Sequence, residues 1–351
     1  MYEKVGRMSS IAIWGIKGNN CFLKKLEVHV NLWFTGPKVK VKDYIEIGLK
    51  FKINDTKKLY IYFPFHLTER DIEDKVSKLK NDLQLTSALF NSLITSMKTP
   101  IDGQFIEVNL KNTEKLILIE LNKNDSIKIK NFTTDDNFKY SIIEIILPKL
   151  NNEHCQNEEN SQDKIIVSDE EKGYIRLRIN KFDSNSGMFE RVERGFLDSL
   201  LTEETILEFN INAPRKLPSE ICNKIANISF NKVHMFVLLE DFAKIEFCNN
   251  EINDSRILEK NIWNKYLNIS NDEKSIRKVI AYHWKKQVND NIKEYNFFVK
   301  ISKSNNNLWL AILVILFLSI LSGIIANSTI AIPTLVIILI LIIIILAQKG
   351  E

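Results

Sequence analysis

Three polar residues at alternating positions are the clearest candidates for chemistry in this chain. Tyr174, Arg176 and Arg178 alternate with apolar residues, so in a strand their side chains share one face. Two guanidiniums about 7 Å apart can clasp a phosphate through paired hydrogen bonds, and the ring of Tyr174 can stack on a base. The alternative is a solvated sheet face that carries cross-strand ion pairs. The pattern therefore indicates either a small phosphate-bearing ligand or ordinary ion pairing.

Other reactive residues lack the spacing that catalysis or metal binding requires. The chain has no HExxH, CxxC, GxSxG or GxxxxGK[ST] motif. The five histidines are His29, His66, His154, His234 and His283, and the four cysteines are Cys21, Cys155, Cys222 and Cys248. Scattered cysteines are typical of free thiols in a reducing compartment. We therefore expect no metal, no cofactor and no enzymatic activity.

The charge of the chain is balanced overall but basic before its C-terminal end. The formal net charge is +4, from 48 basic and 44 acidic residues, so a nucleic acid partner is not expected. Residues 282–286 combine aromatic and basic side chains, which fits either an interfacial helix on anionic lipid headgroups or an ordinary packed helix. The residues predicted to lie at a membrane interface are Trp284, Lys285, Lys286, Lys300, Lys303, Trp309 and Lys349.

Two apolar stretches near the C-terminal end, residues 308–326 and 330–347, contain no charged residue. At 1.5 Å per residue, each would span roughly 30 Å of bilayer hydrocarbon, so the pair predicts a transmembrane hairpin. Lysines on the flanks and none in the turn predict a multi-pass protein of the inner membrane, with both termini cytoplasmic. Ser319 and Gly323 are four residues apart, a spacing that allows close helix packing within the hairpin or between copies in a homo-oligomer.

The elements that position these residues follow from hydrophobic periodicity. Apolar alternation predicts strands at 26–32, 45–53 and 59–65. A helix is expected to begin near Thr68, with further helices over 188–201, 256–267 and 275–288. The strand at 59–63 and the strand at 205–211 both run into a proline and then a helix start. This parallel suggests a duplicated β-β-α unit, against chance similarity in a chain rich in Asn, Ile and Lys.

The fold class predicted from these patterns is α+β, with a strand-rich cytosolic region followed by the transmembrane hairpin. The predicted divisions are a strand-rich domain at 1–150, a polar linker at 151–164, a second α+β domain at 165–254, a helical basic juxtamembrane segment at 255–304 and the hairpin at 305–351.

Three functions are compatible with this architecture. The leading hypothesis is a membrane-anchored sensor-effector that recognises a ligand or protein partner and then assembles at, or perturbs, the inner membrane, as in bacterial stress or antiphage defence. The first alternative is a passive membrane-tethered scaffold or binding module. The second is an enzyme of unrecognised type that acts at the membrane.

Overall fold

The computed structural model describes most of the chain before residue 305 and one helix after it. The described residues are 9–16, 26–34, 44–99, 104–111, 115–134, 137–148, 171–180, 188–192, 202–267, 278–304 and 308–326. Within them the fold is α+β and rich in strands, as predicted. The predicted linker at 151–164 lies outside the described residues.

The elements are numbered here in chain order. The strands are β1 (Ser10–Ile16), β2 (Leu26–Phe34), β3 (Tyr44–Lys52), β4 (Lys58–Phe63), β5 (Ile72–Asp74), β6 (Ile94–Lys98), β7 (Phe105–Leu110), β8 (Lys115–Ile119), β9 (Ile127–Thr133), β10 (Lys139–Ile146), β11 (Lys172–Ile179), β12 (Phe189–Val192), β13 (Thr202–Ile211), β14 (Phe230–Glu240), β15 (Ala243–Cys248), β16 (Asp254–Ile257), β17 (Val279–Ile292) and β18 (Tyr295–Ser304). The helices are α1 (Val76–Leu79), α2 (Leu83–Phe90), α3 (Lys123–Ser126), α4 (Ser219–Ile225), α5 (Lys260–Leu267) and α6 (Leu308–Ala326).

The strands form two mixed sheets. The first has the order β15-β18-β13-β1-β4-β10-β9, with β12 beside β13; the second has the order β16-β17-β14-β2-β3-β11-β8-β7-β6, with β5 beside β11. Each sheet contains a parallel pair that joins the two halves of the chain, β1 with β13 and β2 with β14. Strands from both predicted α+β domains therefore lie in the same sheets.

The chain divides into two compact units. The first comprises Met1–Glu190 with Ile206–Lys300, and the second comprises Arg191–Thr205 with Ile301–Glu351. The first unit holds most of the described strands, and the second contains α6.

Helices cover one face of the second sheet. The core between them is apolar and aromatic, and among its buried members are Trp33, Leu79, Leu85, Val108, Leu118, Leu238, Trp263 and Tyr266. Helix α2 is capped at its N-terminus by Asp82, whose side chain accepts a hydrogen bond from the backbone N–H of Leu85, and at its C-terminus by Asn91, with φ 47°. These two caps fix the last residues of α2, which lie beside the site described below.

Three predicted helices differ from the structure. Residues 279–292 form the strand β17, which pairs with β14 over most of its length. Residues 189–192 form β12, while 193–201 lie outside the described residues. The helix expected from Thr68 does have Thr68 at its N-cap position, but it is broken into a short 3-10 turn, β5, α1 and α2. Tertiary pairing overrides local periodicity in these segments, which are rich in β-branched and aromatic residues.

The duplication stays a prediction. The two strands that it compared, β4 and β13, flank β1 on opposite sides, one antiparallel and one parallel to it. Each is followed by a 3-10 turn, Glu69–Asp71 after β4 and Pro214–Lys216 after β13.

The predicted inner-membrane localisation is corrected by the structure. Among the described residues, no helix combines the length and the apolar content that crossing a membrane requires. The predicted transmembrane hairpin is therefore not supported. Its second apolar stretch, residues 330–347, lies outside the described residues.

Candidate functional site

The candidate site lies on the helix-covered face of the second sheet. Strand register places Glu46 of β3 directly opposite Arg178 of β11, and Gly48 opposite both Arg176 and His29 of β2. These side chains share one face because each strand alternates its side chains between the two faces. This face carries the polar side chains of the strands. The alternation of the sequence predicts that such a face meets solvent, but here helices cover it.

Glu46 is the centre of a buried charge cluster. Its Oε2 atom accepts a hydrogen bond from Nε of Arg176 at 3.0 Å and from the hydroxyl of Tyr266 at 2.9 Å. Its Oε1 atom accepts from Nε of Arg178 at 3.0 Å and from Nη2 at 2.8 Å. Burial opposes the charged carboxylate, but Arg176 and Arg178 outweigh it and lower the pKa of Glu46 to about 2.

Lys75 brings a further cation to this cluster. Its Nζ atom donates to the backbone oxygen of Tyr266 at 3.2 Å and to Oε1 of Glu73 at 3.1 Å, and it lies 4.5 Å from the centre of the Tyr266 ring. Burial and the neighbouring guanidinium of Arg178 lower the pKa of Lys75 to about 8. The cluster thus holds three cations, and its buried groups are tied together by hydrogen bonds and ring contacts.

The predicted ligand-binding residues are part of this cluster. Tyr174, Arg176 and Arg178 have exposures of 0%, 1% and 4%. Nη1 of Arg176 donates to the hydroxyl of Tyr174 at 3.0 Å. The alternative of a solvated face with cross-strand ion pairs is right about the ion pairs, since both guanidiniums pair with Glu46, and wrong about the solvent. Ligand binding by these three residues stays a prediction.

A second cluster of titratable groups lies beside the first and was missed from the sequence. Nε2 of His29 lies 3.0 Å from Oε1 of Glu27, and Nε2 of His234 lies 3.5 Å from the same oxygen. Nδ1 of His234 lies 2.9 Å from Nε2 of His283. Parallel pairing of β2 with β14 sets His29 directly opposite His234, although the two residues are far apart in the chain. No local spacing could have revealed this contact.

Burial governs the charge of the His29 and His283 imidazoles. It lowers the pKa of His29 to about 4, and burial together with the nearby imidazole of His234 lowers the pKa of His283 to about 4. Burial also acts to raise the pKa of Glu27, but the contacts of its carboxylate with His234 and His29 lower it well below its usual value. At neutral pH this cluster therefore contains neutral His29 and His283 beside a charged carboxylate.

The histidines open onto a cavity of about 230 Å³, called here the histidine pocket. Its lining residues are His29, Leu89, Phe90, Asn91, His234, Phe236, Asp254, Ser255, Arg256, Ala281, His283 and Lys285. The His283 ring stacks on Phe236 with centroids 4.2 Å apart. The guanidinium of Arg256 donates to the backbone oxygen of Ala88 and, at 3.4 Å, to Oδ1 of Asn91. The last turn of α2 therefore holds Arg256 at the edge of the pocket.

The residues predicted to meet a membrane have different surroundings. Trp284 is 1% exposed, and its Nε1 atom donates to the backbone oxygen of Asn250 at 3.1 Å. Lys285 and Lys286 are exposed on β17, and Lys300 and Lys303 are half-buried on β18. The interfacial helix is thus replaced by two strands. Trp309 lies in the first turn of α6, and Lys349 lies outside the described residues.

The predicted helix-packing residues lie in α6. The hydroxyl of Ser319 donates to the backbone oxygen of Ile315 at 2.8 Å. A Cβ atom built on Gly323 would meet no described atom within 4 Å. Packing of this helix against another helix stays a prediction.

Comparison with known proteins does not assign the site. No family matches the sequence, and no curated protein is significantly similar to it.

Proposed function

We propose that the protein is a recognition protein that binds a small anionic ligand in the histidine pocket. The observation that supports this proposal is the convergence of Lys285, Arg256 and three imidazoles on one cavity, in which Asp254 is the one carboxylate among the described lining residues. Ligand sites typically combine an apolar wall with a few convergent polar groups. Phe90 and Phe236 supply that wall here.

The size of the pocket limits the ligand. A cavity of about 230 Å³ is smaller than the range of about 300–1,000 Å³ common for drug-sized ligands. A phosphate monoester or a small carboxylate matches both the volume and the positive lining. The proposal keeps the phosphate-bearing ligand expected from the sequence, but it moves the binding role from Arg176 and Arg178 to Lys285 and Arg256.

Lys285 is the best residue for testing ligand binding, because it is exposed and its replacement should not disturb the fold. It lies opposite His234 in the β14–β17 ladder, and its side chain is exposed at the pocket. Lys286 is the next residue of the same strand and has the same charge, but its side chain points to the other face. The two lysines therefore form a matched pair of test and control.

Calorimetric titration of the intact chain tests the proposal. The probes are inorganic phosphate, nucleoside monophosphates and small dicarboxylates. We expect one of them to bind with one site per chain, and Lys285→Gln to weaken it at least about tenfold, the worth of one hydrogen bond to a charged group. Lys286→Gln should bind as the wild type does. The proposal fails if no probe binds, or if both lysine variants weaken binding equally.

The sequence hypothesis also assigned the protein an effector role, in which ligand recognition leads to assembly. In this proposal the bound ligand changes the assembly state of the chain. Light scattering with and without the bound probe reports that change. A protein that binds its probe without any change in mass would be a binding module rather than a sensor-effector.

An enzyme is a second candidate because a carboxylate and imidazoles meet beside the cavity. Glu27 with His29 resembles the acid–base pairs that move protons in catalysis. Incubating the protein with the probe that binds, and measuring product, separates the two functions. Turnover that is lost in Glu27→Gln would favour the enzyme, whereas binding without turnover favours recognition.

A further inference from the structure

We propose that Glu27, His29 and His234 form a binding site for a divalent transition metal ion, with zinc as the best match. The three residues each offer one ligand atom, and these atoms all lie within 4.8 Å of one another. Two imidazoles and one carboxylate are a common ligand set of zinc sites that keep a fourth position open.

The distances between the candidate ligand atoms match those of a shared metal site. In a tetrahedral site with bonds of about 2.0 Å, neighbouring ligand atoms are about 3.3 Å apart. The two contacts to Oε1 of Glu27 are 3.0 Å from Nε2 of His29 and 3.5 Å from Nε2 of His234. The longer contact exceeds the usual range of an N–H···O hydrogen bond, but both distances lie close to the ligand separation.

A neighbouring imidazole orients one of the ligands. Nδ1 of His234 lies 2.9 Å from Nε2 of His283. When Nδ1 of His234 donates its proton to His283, the lone pair of Nε2 faces Glu27. Outer hydrogen bonds of this kind fix the ring and tautomer of metal-bound histidines.

The backbone holds the ligands on the rigid part of the fold. Glu27 and His29 are two residues apart on β2, and His234 lies opposite His29 on the neighbouring parallel strand. Both strands lie in the interior of the second sheet. Sites built on strands keep their geometry more strictly than sites built on loops.

The open coordination position would face the histidine pocket, because His29 and His234 both line it. Water or an anion could occupy that position. The metal site does not depend on the anion proposed above, because its three protein ligands are Glu27, His29 and His234.

Metal binding is tested with the metal alone. The full-length chain is stripped with a chelator and titrated with Zn²⁺ by calorimetry in a buffer without phosphate, and Co²⁺ is followed by visible absorption. We expect one ion per chain and tetrahedral Co²⁺ bands. Glu27→Gln and His234→Ala should each weaken binding by at least about 100-fold. His66→Ala removes a histidine that contacts the backbone oxygen of Phe132, and it should leave binding unchanged.

Two further measurements keep the test decisive. Circular dichroism shows whether each variant is folded, and His283→Gln, which keeps all three ligands, should weaken Zn²⁺ binding by about 10- to 100-fold. The proposal is overturned if the wild type binds no stoichiometric metal, or if a folded His234→Ala chain binds as tightly as the wild type. Failure of the anion titration with intact metal binding would reject only the proposed function.

Discussion

Arg176 and Glu46 form an ion pair between β11 and β3 in which neither side chain is more than 1% exposed to solvent. The pair is diagonal, because Arg176 lies opposite Gly48 and it is Arg178 that lies opposite Glu46. One carboxylate therefore holds two guanidiniums, and Tyr266 of α5 donates to it from the helix layer. The cluster joins the sheet to the helices that cover it.

Replacement of Glu46 is predicted to be severely destabilising. Glu46→Gln keeps the shape of the side chain, but it leaves the buried guanidinium of Arg176 without its carboxylate and Arg178 with only Glu73, at 3.9 Å. Breaking a buried ion pair on one side typically costs about 3–5 kcal/mol. Urea unfolding followed by circular dichroism measures the change in the free energy of unfolding.

The exposed pair Lys244–Glu246 supplies the control, with side-chain exposures of 72% and 35%. Glu246→Gln should change the free energy of unfolding by no more than about 1 kcal/mol. A Glu46→Gln chain as stable as Glu246→Gln would show that the cluster does not hold the fold together.

Gly48 is predicted to be irreplaceable while Tyr174 is present. A Cβ atom on Gly48 would overlap the Tyr174 hydroxyl and would lie 2.7 Å from its Cζ atom. We therefore expect Gly48→Ala to cost about 1–3 kcal/mol, the usual effect of overpacking. Added to Tyr174→Leu, the same change should cost less than about 1 kcal/mol, because the overlapping ring is gone. A double-mutant cycle by urea unfolding measures this coupling.

Gly323 supplies the control for that cycle. Gly323→Ala on α6 meets no described atom, so it should be neutral or stabilising by up to about 1 kcal/mol. Equal costs of Gly48→Ala in both backgrounds would contradict the close contact.

The strands could be predicted from the sequence, but the site could not. Apolar alternation revealed β3, since Ile45, Ile47 and Leu49 are buried as expected. The same alternation placed Glu46 in solvent, because sequence periodicity does not show that a second layer covers the polar face. His29 meets His234 only through a parallel pairing that local spacing cannot reveal.

Asp74 is predicted to make stability depend on pH. Burial raises the pKa of Asp74 to about 7, while Oδ2 accepts from the backbone N–H of Ser77 and Oδ1 has no partner among the described atoms. The unfolded chain releases this proton near pH 4 and the folded chain near pH 7. The folded state is therefore favoured below pH 4, and this contribution is lost as pH rises towards and through 7.

Asp74→Asn removes that titration. The stability of the variant relative to the wild type should rise between pH 4 and pH 7, by on the order of 4 kcal/mol at most. Urea unfolding at several pH values measures the difference. Asp241→Asn, which replaces an exposed carboxyl, controls for the loss of one surface charge. A pH-independent difference between Asp74→Asn and the wild type would contradict the raised pKa.

Asn212 is predicted to be needed for both its side chain and its backbone conformation. It follows β13 with φ 53°, its Oδ1 atom accepts from the backbone N–H of Ile13 at 2.7 Å, and its Nδ2 atom donates to the Ile13 oxygen at 3.0 Å. The amide thus extends the parallel β1–β13 pairing by one residue.

Asn212→Ala loses both hydrogen bonds and gains backbone strain, which together should lower the free energy of unfolding by about 2–4 kcal/mol. Asn212→Gly loses the bonds without the strain, so urea unfolding should find it about 1 kcal/mol more stable than the alanine variant. If the two variants were equally stable, the left-handed backbone would contribute nothing, and if both matched the wild type, the amide would not be part of the ladder.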